Sequence, residues 1–178
     1  MLKIKKWLFI GALLGSIVGC WFAGDSNNYL EVESDRTELA LGLLSYSNFS
    51  EIKAVLNLDN SKVIVLDEGN QSEDSSKRPP FNIHTIKVKD LEIDGYVGDL
   101  ELSFFNDRLM YTRFYASDFE GYISNLQLGR TQLESRDGIL IKPYTHVWIY
   151  TNHQNIRYIG WRDTRLSKQF NEWIKRYS

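Results

Sequence analysis

Apolar positions along this chain fall into three periods, and each predicts a different element. Met1–Asp25 is a basic start followed by an unbroken apolar run, Trp7 to Gly24. Residues 81–115 alternate with period two, as half-buried strands do: Ile86 and Val88 against Lys87 and Lys89, then Leu100, Leu102 and Phe104 on one face. Residues 164–177 repeat at helical spacing, with Leu166, Phe170, Trp173, Ile174 and Tyr177 in one stripe behind a capping Asp163.

The remaining segments join these. Asp25–Asp35 is polar and reads as a tether. Glu38–Tyr46 is apolar; the Asp35/Glu38 spacing leans it to helix and Gly42 weakens that. Ser50 is placed to cap a helix presenting Ile52, Val55 and Leu56 on one face. Lys62–Leu66 predicts a short strand, and Asp67–Pro80 a polar surface loop.

Turn signals at Asp94-Gly95 and Asn106-Asp107 split Phe81–Tyr115 into a three-stranded meander. Ser117–Glu120 opens a short helix with Phe119, Tyr122, Ile123 and Leu126 facing the sheet. Gly129–Gly138 reads as irregular and Ile139–Ile141 as an edge strand. Thr145–Thr151 and Ile156–Trp161 make a hairpin around Asn152–Asn155. The fold class expected is α+β: an antiparallel sheet, meander plus C-terminal hairpin, with helices packed on one face.

Lys3, Lys5 and Lys6 before the apolar run form the layout of a signal peptide. Its last residues, Ile17-Val18-Gly19-Cys20, resemble the bacterial lipobox. That resemblance implies cleavage after Gly19, diacylation of the Cys20 thiol and a membrane-held chain, since stable anchoring takes more than one acyl chain. Cys20 is the only cysteine. Trp21-Phe22 prolong the apolar run to 18 residues, and Gly11, Gly15 and Gly19 recur at the spacing of helix contacts in membranes, so an uncleaved anchor over 7–24 competes. The organisation expected is thus residues 1–19 as signal peptide (or 7–24 as anchor), 20–35 as tether, and 36–178 as a single domain. Both anchors place the domain in the bacterial cell envelope facing the periplasm, with inner or outer membrane left open.

Composition narrows the function. Losing three leader lysines leaves 18 basic and 23 acidic residues, net −5, which disfavours nucleic acid as a partner. Asp25–Glu101 is net −9 and Arg157–Ser178 net +4, so the last helix offers Arg162, Arg165 and Lys168 as a basic face for a partner. His84, His146 and His153 lack metal-ligand spacing, and no nucleophile elbow, P-loop or dinucleotide fingerprint is present. No cofactor and no catalytic residue is predicted. Acid pairs such as Asp94/Asp99 or Asp107/Asp118 are explained by turns and caps before catalysis. Phe104-Phe105-Asn106-Asp107-Arg108-Leu109 reads as strand, turn, strand with Arg108 toward solvent. Trp148, Tyr150, Tyr158 and Trp161 read as core and sheet cover, or as an exposed row inviting a partner.

The Ser50-Glu-Ile-Lys helix start followed by a meander, over Leu41–Tyr115, resembles in layout the SmpA/OmlA (BamE-like) envelope lipoproteins. The resemblance implies a protein-binding role and carries no binding residue across. The function expected is a membrane-anchored, non-enzymatic protein-binding module. An inhibitor or immunity protein and a carboxylate-dependent hydrolase are the alternatives.

Overall fold

The computed structural model describes Tyr29 and residues 35–71, 78–135 and 137–178. The leader, with Gly19 and Cys20, and most of the tether lie outside them. Among the described residues no helix is long and apolar enough to cross a membrane.

The chain opens with a hairpin, β1 (Glu38–Ala40) and β2 (Leu43–Leu44), where the pattern leaned to helix. Leu41 and Gly42 both take positive φ, 58° and 74°, the geometry of a tight hairpin turn. Glu38 does not cap a helix; it accepts from Gly42 N and pairs with Lys142 at 2.6 Å. The first helix, α1 (Phe49–Val55), starts one residue before Ser50. Its cap is Asn48, in a reciprocal capping box with Glu51. Ile52 is its buried residue; Val55, expected on the same face, is exposed.

A seven-stranded antiparallel sheet follows in the order β3-β4-β5-β6-β9-β8-β7. Its strands are β3 (Val63–Gln71), β4 (Phe81–Ile93), β5 (Tyr96–Phe105), β6 (Arg108–Ala116), β7 (Ile139–Leu140), β8 (Thr145–Thr151) and β9 (Arg157–Asp163). β3 runs well past the predicted Leu66, because Asp67–Gln71 pairs with Phe81–Thr85. Two short helices, α2 (Phe119–Asn125) and α3 (Arg130–Leu133), join the two halves; α3 replaces part of the segment expected to be irregular. Asp118, not Ser117, caps α2. The last helix, α4 (Thr164–Tyr177), is capped by Asp163 as predicted.

Alternation divides the sheet into two faces. One carries Ile86, Val88, Leu100, Leu102, Phe104, Leu109, Phe114, Ile159 and Trp161, and packs with the β1–β2 hairpin and residues of α1, α2 and α3. Helix α4 lies on the other. Its Leu166, Phe170 and Trp173 meet Phe81, Ile83, Phe105 and Met110. The helices therefore occupy both faces. Phe104-Phe105 is the reason: neighbours in a strand point oppositely, and both rings are fully buried, so each face needs cover at that point.

Arg108 is buried, 3% exposed, rather than solvent-facing. It sits on the Phe105 side of the sheet, beneath α4. Its Nε donates to Phe105 O at 3.2 Å, Nη1 to Gln169 Oε1 at 3.2 Å and Nη2 to Tyr29 O. Asn106 adds a donor to Tyr29 O at 2.8 Å. Tyr29, expected in a polar tether, is instead a core residue, its ring edge-on to Phe105 and Tyr177. The Asn106–Arg108 turn is thus a clasp for Tyr29. It answers the buried carbonyls that irregular backbone would otherwise leave without donors.

Candidate functional site

Helix α4 covers only one end of its face. Beyond it the strands present what alternation leaves between core residues: Lys87 between Ile86 and Val88, Glu101 between Leu100 and Leu102, Arg113 between Thr112 and Phe114. Antiparallel register aligns the three across β4, β5 and β6, Lys87 opposite Glu101 and Glu101 opposite Arg113. Glu101 stands 3.2 Å from Lys87 and 3.7 Å from Arg113. It also accepts the Tyr115 hydroxyl at 3.0 Å. Burial, and then the Glu101 carboxylate, hold the Tyr115 phenol far above its ordinary pKa, so it stays a donor. Asp99 is 3.6 Å from Lys87.

Aromatic rings continue this surface. Tyr115 and Tyr158 lie 5.0 Å apart, and Tyr158 and Tyr150 6.2 Å. Trp148 lies over Gly160, where an added Cβ would come within 2.8 Å of the indole. Arg162 stands 5.3 Å from the Trp148 ring, and His146 stacks on it at 5.6 Å. The row expected from Trp148, Tyr150, Tyr158 and Trp161 is split: Trp161 points into the core, and Tyr115 takes its place on the open face. A trough of about 810 Å³ runs over this surface, between Leu66 of β3 and the Asn152–Ile156 turn, floored by Tyr115 and Tyr158.

The sheet edge beside the trough is β3. Among the described residues it hydrogen-bonds to β4 alone, leaving nine residues of backbone with one free side. Ile64, Val65 and Leu66 are 38%, 54% and 47% exposed. Leu66 falls at the irregularity in the β3–β4 register, which is why three consecutive apolar residues show outward where alternation would hide one. The opposite edge, β7, has two residues.

The three basic residues read from the sequence part company. Arg162 lies on the open face, a half-buried residue with its guanidinium beside the Trp148 ring. Lys168 is on the outer side of α4, its side chain 77% exposed. Arg165 is committed inward: Nη2 stands 2.7 Å from Asp163 Oδ2, Nε 3.2 Å from Oδ1, and the guanidinium lies 3.8 Å from the Tyr144 ring centre.

Three of the carboxylates considered for acid–base work, Asp99, Asp107 and Asp118, stand beside structural neighbours. Asp118 accepts from Gly121 N and Asp99 faces Lys87. Asp107 lies 3.9 Å from His84, whose ring stacks on Phe104 at 4.6 Å. No group of three or more metal-ligating side chains converges among the described residues. What the surface offers chemically is a free strand edge, stacking rings and a charge network, all suited to binding. The Lys87–Glu101 part of the row was within reach of the sequence, since both alternate with the core positions Ile86, Val88, Leu100 and Leu102; Arg113 was not, because the turn signals mark its strand without marking its faces. The β3 edge was not, because no local signal extends that strand beyond Leu66.

A comparison with protein-family models finds no match for this chain, and no curated protein matches it.

Proposed function

We propose that this protein is a membrane-anchored, non-enzymatic binding module of the bacterial cell envelope. In this reading it receives an extended segment of a partner protein as an added strand along β3. The observation that carries it is the nine-residue edge with exposed Ile64, Val65 and Leu66. A strand edge left open invites pairing with another chain, and soluble proteins ordinarily blunt it with charge, proline or cover. Added-strand recognition draws affinity from main-chain hydrogen bonds and selectivity from pockets for alternate side chains. The trough beside Leu66, with Lys87, Arg113 and Tyr158, supplies such pockets. Anchoring rests on Ile17-Val18-Gly19-Cys20 or on the 7–24 apolar run, and puts the domain on the periplasmic side.

Photo-crosslinking residues placed at Ile64 and Leu66 of the full chain, in its native envelope, test the edge. A single adduct, lost in Val65→Pro, supports it, because proline removes a backbone donor that the incoming strand needs. An adduct insensitive to that change, or none at either position, refutes edge pairing. Fatty-acid labelling abolished by Cys20→Ala supports the lipid anchor; labelling-independent membrane retention moves the reading to the 7–24 helix.

A further inference from the structure

Helix α4 turns Leu166, Phe170, Trp173 and Tyr177 toward the sheet. The line diametrically opposite therefore carries Lys168, Asn171 and Lys175, spaced three, four and seven residues apart and exposed. Arg162 joins them at the margin of a shallow groove of about 330 Å³, whose one acidic lining residue is Glu172. This strip is cationic on a chain of net negative charge.

The same helix is touched by Tyr29. Tyr29 packs edge-on against Tyr177, 6.5 Å between ring centres, in the final turn of α4. Tyr29 is the ninth residue after Cys20 and the fifth after Gly24. Fully extended, these reach about 30 Å and about 17 Å. Whichever anchor holds the chain, this end of α4 cannot leave the neighbourhood of the lipid headgroups.

We infer that the Arg162–Lys168–Lys175 strip rests on the membrane itself, pairing with the phosphodiesters of anionic phospholipids. This rests on the membrane-anchor reading and is independent of the β3 edge. The anchor supplies proximity, and the strip supplies orientation. Each basic side chain near an anionic surface gains roughly fivefold in favour of contact, and salt screens the gain.

The test uses the full, anchored chain carrying a nitroxide on Asn171→Cys, with the unsubstituted chain as blank. It is reconstituted into vesicles of phosphatidylcholine alone or mixed with phosphatidylglycerol. Collisions with a water-soluble paramagnetic reagent report exposure of the strip. The expected result is about fivefold lower accessibility in the anionic vesicles. That protection should vanish at high salt and in the Lys168→Glu/Lys175→Glu background, whose exposed positions leave the fold intact by circular dichroism. Equal accessibility in both vesicles, or protection that survives charge reversal, overturns the inference and leaves the anchor standing. A chain that fails to remain with either vesicle type overturns the anchor reading and this inference with it.

Discussion

Replacing Arg165 with alanine separates an internal role from a binding one. Asp163 is fully buried; its carboxylate caps α4 through Arg165 N at 2.8 Å and Leu166 N at 3.3 Å, and takes two further bonds from the Arg165 guanidinium. Alanine keeps the backbone donors and removes both side-chain bonds, together with a third to Asp35 O at 2.9 Å. Removing one partner of a buried pair costs roughly 3–5 kcal/mol, because the remaining charge keeps its desolvation penalty. Arg165 retains 18% exposure, so water reaches part of the gap and the lower end, about 3 kcal/mol, is expected. With a urea dependence of about 2 kcal/mol per molar, the unfolding midpoint should fall by about 1.5 M. Tryptophan fluorescence reads it directly, since Trp173 is in the affected core. Lys168→Ala, on the same helix, should move the midpoint by no more than about 0.3 M. Combining Arg165→Ala with Asp163→Asn should be markedly less than additive. A midpoint shift under about 0.5 M for Arg165→Ala would refute the argument, and loss of partner capture in that variant would return Arg165 to the binding surface.

Three further outcomes follow from the geometry. Burial depresses the His84 pKa below its ordinary 6.5, outweighing the raising influence of Asp107 and then Glu68. The unfolded state thus binds the proton first on acidification, and stability should fall as pH drops below about 6.5 until the folded-state pKa is passed; His84→Gln should flatten that slope. Gly160→Ala drives a Cβ to 2.8 Å from the Trp148 ring. It should cost about 1–3 kcal/mol and shift indole emission as the ring is displaced. Arg108→Met removes the guanidinium clasp on Tyr29 O, costing about 2 kcal/mol or more, and limited proteolysis should then cut near Tyr29 before the domain unfolds.

The sheet was legible wherever local chemistry decides geometry. Asp94-Gly95 and Asn106-Asp107 adopt the positive φ values their residue types favour, so β4, β5 and β6 fall where the turns predict. The same holds for Asp163 and α4. Legibility failed where partners lie far along the chain. Leu41 takes a conformation unusual for leucine because the Leu39 and Leu43 core contacts around it demand a hairpin. Arg108 reads as a surface residue beside a turn; only Tyr29 and Gln169, 79 and 61 residues away, give it a buried place. The candidate surface divides in the same way. Alternation turns Lys87, Glu101 and Arg113 away from the core, whereas Arg165 carried the same local signature as Lys168 and met a different fate through Tyr144.

The Tyr29 clasp also orders events in time. The strands of the meander find each other within short stretches of chain, as do those of the C-terminal hairpin, and such local pairings close quickly. Tyr29 must wait for Arg108, then Gln169, then Tyr177. A chain made from its N-terminus presents Tyr29 early and can complete its docking only after residue 177 has emerged. In the lipid-anchored reading proposed above, the residues beside the cleavage point are the last to be locked, which leaves a window for cleavage and acylation before the domain has finished folding.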